Sequence, residues 1–129
     1  LKQTSARLTE QGYVEETFYS ALLEREAEYP TGLSLPVCDI AIPHVSPEHV
    51  KRSGIAVAVL KHAVKFRRVD DPEAEAEVKI IFNIALDRNG KQVEVLQKLM
   101  EFIRDETVLG SILRAETAED IIQLVGKVV

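Results

Sequence analysis

VKIIFNIAL, residues 78–86, carries an apolar side chain at nearly every position. A strand with one wet face alternates; a run without alternation suits a strand covered on both faces. This stretch is therefore expected to be the central strand of a sheet with layers above and below it. Asp87-Arg88-Asn89-Gly90 follows and reads as a turn. Beyond it Val93, Leu96, Leu99, Met100 and Ile103 mark an amphipathic helix. A shorter helix is expected over 107–113. Thr117 and Asp120 form a capping pattern for a last helix through Val128.

Upstream of the run, GIAVAVL (54–60) reads as a strand, and AVKF (63–66) is expected to pair with it across Lys61-His62. Asp70 and Asp71 are placed to shape the loop before the long strand. Ile40 and Ile42 alternate with smaller neighbours and suggest a short strand ending at Pro43. Ser46, Pro47 and Glu48 then supply an N-cap, a first-position proline and a first-turn acid. Residues 12–28 place Val14, Phe18, Ala21 and Leu22 at helical spacing, and Tyr29-Pro30-Thr31-Gly32 breaks that helix. Strands mixed with helices at short spacing predict an α/β domain with a mixed central sheet.

The chain has 129 residues, the size of one domain, and at 46% apolar it can bury a core. It opens on Leu1 and not on Met, so a native N-terminal segment is expected to precede it. The net charge of -5 lacks the basic footprint of a nucleic-acid partner and gives no pull toward an anionic membrane. No apolar run is long enough for a membrane helix, and the start carries no signal-peptide pattern. The single cysteine, Cys38, cannot close an internal disulfide or build a Cys-based zinc site. A reducing, cytoplasmic setting fits these features.

Gly54 and Gly90 are isolated, so no phosphate-cradling loop is present. His44 and His49 are not at i, i+4 spacing and Pro47 interrupts them, which does not suit a helical metal pair. Cys38 has no feature beside it in sequence to activate a thiolate and reads as a core residue. His44 has more to recommend it. It stands past a strand end, next to a turn whose backbone N–H groups favour an anion. A neutral imidazole there is a competent nucleophile, suited to accepting a phosphoryl group. The plain alternative is a hydrogen-bonding surface histidine. His49 is expected to point from the turn after the site and His62 to face solvent from a hairpin connection. Lys65, Arg67 and Arg68 read as a solvated face.

The ordered set Leu22-Leu23-Glu24-Arg25-Glu26, Tyr29-Pro30-Thr31-Gly32-Leu33, Ile40-Ala41-Ile42-Pro43-His44 and Val93-Glu94-Val95-Leu96-Gln97-Lys98-Leu99 resembles the enzyme IIA domains of the bacterial sugar phosphotransferase system. The fructose/mannitol superfamily is indicated, and most of all its galactitol-type branch, by Ser46-Pro47-Glu48-His49-Val50 after Pro-His and by Asp71-Pro72-Glu73 before the long strand. The resemblance covers about residues 10–128 and implies the mannitol-type enzyme IIA fold, a mixed sheet with helices on both faces. It implies that residues 1–129 form a single IIA domain and that the protein is a phosphotransferase component. His44 would take a phosphoryl group from the carrier protein HPr and pass it to a cysteine of enzyme IIB during sugar uptake. Arg25 would stabilise charge at that site. Gln92 stands where the family usually carries a second histidine. No cofactor or metal is implied, because phosphohistidine is already an activated donor. A regulatory module that senses phosphorylation state and a non-catalytic relative of the fold are the alternatives.

Overall fold

The computed structural model describes the backbone of residues 2–87 and 92–115. Helix α1 spans Lys2–Glu10 and helix α2 spans Phe18–Glu28. Strands β1 (Gly32–Leu33) and β2 (Asp39–Ala41) lead to a 3-10 turn at Pro47–His49. The long strands β3 (Gly54–Arg67) and β4 (Glu75–Ala85) follow, then helices α3 (Gln92–Arg104) and α4 (Glu106–Leu113). The sheet has the order β1-β2-β4-β3, with β2 and β4 parallel and the other neighbours antiparallel.

The 78–86 run forms most of β4, which lies inside the sheet as its apolar pattern requires. Its residues divide between two faces with period two. Ile80, Phe82, Ile84 and Leu86 pack with Leu99 and Ile103 of α3 and with Leu109 and Ile112 of α4. Ala85, on the opposite face, packs with Leu8 of α1 and with Phe18 and Leu22 of α2. Asn83 shares that face and is fully buried; its Nδ2 donates to Thr4 Oγ1 at 2.9 Å and Ser5 Oγ at 3.1 Å on α1. The expected mixed sheet with helices on both faces is the observed architecture.

Residues 54–67 are one strand and not two paired ones. Between the pairs Val59↔Ile80 and Val64↔Val78, β3 advances five residues while β4 advances two, so Lys61 and His62 fall in a bulge. A two-residue hairpin at Lys61-His62 would need positive φ, and no described non-glycine residue adopts it. The bulge bends the strand. Beyond it the β3–β4 hairpin reaches back across the sheet, where Arg68 forms a bridge with Gly32 and Val69 N–H donates to Gly32 O at 2.9 Å. Phe66, Ala76 and Val78 there cluster with Ala41 and Ile81. The loop closing this hairpin is built by the acids expected to shape it. Asp70 pairs with Arg68, which holds its carboxyl below the usual range, and Asp71 Oδ1 accepts from Glu73 N–H at 3.1 Å.

The helix expected over 12–28 begins later. Gly12, at φ 78°, closes α1, and the next residues run extended beside the turn after β2. Val14 bridges Val50, and Tyr13 O accepts from Lys51 N–H at 2.8 Å. Backbone pairing with the distant segment after β2 outweighs helical spacing there. Asp105 caps α4, its Oδ1 accepting from Thr107 N–H at 3.0 Å and Val108 N–H at 3.3 Å. The Arg88–Gly90 part of the expected turn and the helix expected from Thr117 lie outside the described residues.

Candidate functional site

The parallel pair β2–β4 fixes where a site forms. In open α/β sheets, clefts lie beyond the carboxyl ends of the parallel strands. Ile42-Pro43-His44 leaves β2 at that end, held to the end of β4 by a bridge between His44 and Ile84 and by Ile84 N–H donating to Pro43 O at 3.0 Å. A cleft of about 170 Å³ opens here, walled by His44, Val45, Ser46 and Pro47 from the loop, Leu86 from the end of β4, Leu96 from α3 and Arg25 from α2. Leu86 and Leu96 were not legible as site residues, because their apolar spacing marks only core.

His44 is half-buried, and its Nδ1 lies 2.8 Å from the carbonyl oxygen of Ile42. A carbonyl only accepts, so Nδ1 carries the hydrogen. In the neutral ring Nε2 then holds the lone pair. The partner that fixes the tautomer is thus a backbone group two residues back, which no side-chain pattern would reveal.

Arg25 reaches the cleft from the last turn of α2 while remaining exposed. Its guanidinium lies over the ring of Tyr29. Gln92 opens α3, one turn before Leu96; its side chain lies outside the described residues. Ile42 packs against the main core, whereas Val45 walls the cleft.

Ser46 does not cap the following turn. Its Oγ donates to Glu48 Oε1 at 3.0 Å, and the turn is a single 3-10 turn too short to need a full cap. Among the described residues, no acceptor is paired with the N–H groups of Ser46 and Glu48. His49 points away from the cleft wall: its Nδ1 lies 2.8 Å from Thr17 Oγ1, at the start of α2, and its Nε2 lies 3.5 Å from Glu48 Oε1. His62 is exposed, as expected, but in mid-strand. Cys38 is half-buried against the core, and burial, followed by the charge of Asp39, pushes its thiol up. It stays a packing residue.

Glu26, next to Arg25, closes the Leu22-Leu23-Glu24-Arg25-Glu26 motif. Its carboxylate accepts from Thr31 N–H at 2.7 Å and from Thr31 Oγ1–H at 2.5 Å. Burial pushes this carboxyl above its ordinary value, against the two Thr31 hydrogen bonds that lower it.

The sequence profile of the family described as the phosphoenolpyruvate-dependent sugar phosphotransferase system, EIIA 2, matches residues 1–128. The chain belongs to this enzyme IIA family. The galactitol-specific EIIA component of the phosphotransferase system of Escherichia coli K12 is 29% identical over 102 residues, which is 79% of this chain and 67% of that protein. The complex of enzyme IIAMTL and phosphorylated enzyme IIBMTL from Escherichia coli shares the fold with this IIA domain at a TM-score of 0.68, with 23% identity, over 96% of this chain and 83% of that one. The nitrogen regulatory protein IIA-Ntr of Neisseria meningitidis matches with a TM-score of 0.68 and 27% identity, over 83% of this chain and 70% of that one. The galactitol-type and mannitol-type resemblance read from the sequence therefore holds.

Proposed function

We propose that this IIA domain is a cytoplasmic phosphocarrier of a sugar phosphotransferase system, with His44 as its phosphoryl acceptor. The observation that carries the reading is the pairing, in one cleft, of Arg25 with an imidazole whose Nδ1–H is committed to the Ile42 carbonyl. The Nε2 lone pair attacks the phosphorus of phospho-HPr. A new N–P bond forms, the N–P bond to the carrier's imidazole breaks, and that imidazole keeps the electron pair. In the second half-reaction a cysteine thiolate of enzyme IIB attacks the same phosphorus, and His44 Nε2 recovers its lone pair.

Such a transfer needs alignment and charge stabilisation more than covalent machinery. The carbonyl of Ile42 aligns the ring. The guanidinium of Arg25, a planar fork that matches phosphate oxygens, offsets the charge on the moving phosphoryl group. The N–H groups of Ser46 and Glu48 are further donors toward it. The apolar wall of Val45, Leu86 and Leu96 limits water beside the N–P bond.

A second reading, favoured by the match to a nitrogen regulatory protein, is that the phosphorylated domain signals and does not feed a permease. One experiment addresses both. The chain and its His44→Ala variant are incubated with labelled phosphoenolpyruvate, enzyme I and HPr, and then with a galactitol-type enzyme IIB. Acid-labile label on the parent alone, chased onto enzyme IIB, is the expected result. Equal labelling of the folded variant would remove His44 from its role, and label that no enzyme IIB accepts would favour the regulatory reading.

A further inference from the structure

Three hydrogen-bonded steps connect the helix that bears Arg25 to the ring of His44. The Glu26 carboxylate accepts both the N–H and the Oγ1–H of Thr31. The carbonyl of Thr31 accepts the N–H of Ile42 at 3.3 Å, extending the β1–β2 ladder one pair beyond Gly32↔Ala41. The carbonyl of Ile42 accepts Nδ1–H of His44. Thr31 is buried and sits at the junction of the first two steps. We infer that Glu26 and Thr31 are positioning residues, which set the tautomer and orientation of His44 by fixing the strand end that carries the Ile42 carbonyl.

The physical argument is one of constraint. Ile42 lies beyond the last residue of β2, and the ladder on its β1 side ends with Thr31. The β4 side of this segment is held through Ala41, Pro43 and His44. On the β1 side, residues 31 and 42 end a two-residue strand pair, and that side would fray without an anchor. Glu26 supplies the anchor from the last turn of α2, with two charge-assisted bonds to one residue. The residue beside it in the helix, Arg25, faces the cleft. The spacing between the cation and the imidazole is thereby tied to one threonine. A residue needed only to end the helix would not require both donors of Thr31, and Tyr29 N–H already closes the helix by donating to Arg25 O at 2.7 Å.

The inference rests on the reading of His44 as phosphoryl acceptor, but its first test does not depend on transfer. The full chain labelled with 15N is studied by long-range proton–nitrogen NMR, with the His44 signals assigned from their loss in His44→Gln. The parent and Thr31→Ser, which keeps both donors, are expected to show a protonated Nδ1 and a bare Nε2. Thr31→Val and Glu26→Gln are expected to shift His44 toward a mixture of tautomers. In the phospho-HPr assay both should slow single-turnover uptake by about 10- to 100-fold, the scale of a misplaced reacting atom, with the half-saturating donor concentration unchanged. A parent in which Nε2 carries the hydrogen overturns the inference outright, whether or not the variants fold. So does an unshifted tautomer in either folded variant. A parent with the expected tautomer that takes no phosphoryl group from HPr would instead remove the acceptor reading.

Discussion

The guanidinium carbon of Arg25 lies 5.1 Å from the centroid of the Tyr29 ring, and the same arginine forms part of the cleft wall with His44. Tyr29 is 62% exposed, so the ring is not there to fill a core. A cation over an exposed aromatic face gains about 0.5–1 kcal/mol. That is enough to bias where a long, flexible side chain rests.

Arg25→Ala is expected to slow single-turnover phosphoryl transfer by roughly 10- to 1000-fold while His44 remains an acceptor. Tyr29→Phe should match the parent, because the ring face is kept. Tyr29→Ala should lose less than about tenfold, the scale of one such contact. Rapid-quench kinetics with phospho-HPr check all three. If Tyr29→Ala matches the parent, the ring has no part in placing Arg25.

Glu26 makes a distinct contribution to stability against pH. Burial raises its native carboxyl above the ordinary value of 4.5. The folded chain therefore holds this proton more tightly than the unfolded chain does. The resulting stabilisation is complete below the unfolded value and disappears as pH rises through the raised native one. Urea titrations at a series of weakly acidic pH values are expected to show a falling segment in the parent that is missing in Glu26→Gln. Parallel curves for the two proteins would mean that the carboxyl is not raised.

The fold was legible wherever burial imposed a period. The β4 run has no wet face along 80–85, and α3 and α4 each bury a clean stripe, so their residue patterns suffice. Helix α1 was not anticipated, because KQTSARLTE hides its inner face behind polar residues: Thr4 and Ser5 are buried against Asn83, and Leu8 alone gives an apolar signal. Strand β1 has only two residues, too few for any alternation to register. At the site, Pro43-His44 and Arg25 were readable as motif positions. Glu26 and Thr31 also stand in quoted motifs, but their roles and that of the Ile42 carbonyl were not readable, because those roles arise from contacts between strand ends that local spacing does not encode.

The close approach at Gly32 yields a stability prediction. A Cβ built there would lie 2.6 Å from Arg67 O and 3.2 Å from Phe66 Cβ. The first of these is backbone, pinned by the hairpin that folds back over β1. Gly32→Ala is therefore expected to destabilise the domain by about 1–3 kcal/mol, as overpacking does, despite the entropic gain of about 0.4–1 kcal/mol that the same change brings at an unstrained position. Chemical denaturation measures it. A midpoint equal to or above the parent's would show that the hairpin tip is not held against β1.

Gln92 stands where the family resemblance implies a histidine, and that difference can be tested. It opens α3, and Leu96, four residues on, walls the cleft. Positions i and i+4 share one face of a helix, so Gln92 stands on the cleft side of α3. A protonated imidazole there would attract the phosphoryl dianion, whereas an amide offers only a neutral donor. Hydrogen bonds involving a charged partner are about twice as strong as neutral ones. Gln92→His is therefore expected to lengthen the lifetime of phospho-His44 at the acid side of the imidazole range and to lose that gain as pH rises from about 6 to 8, where an imidazole titrates. The parent should show a flatter profile over the same range. Hydrolysis of the isolated phosphoprotein, followed against pH in both forms, decides the matter: superimposable profiles would place residue 92 outside the reach of the phosphoryl group.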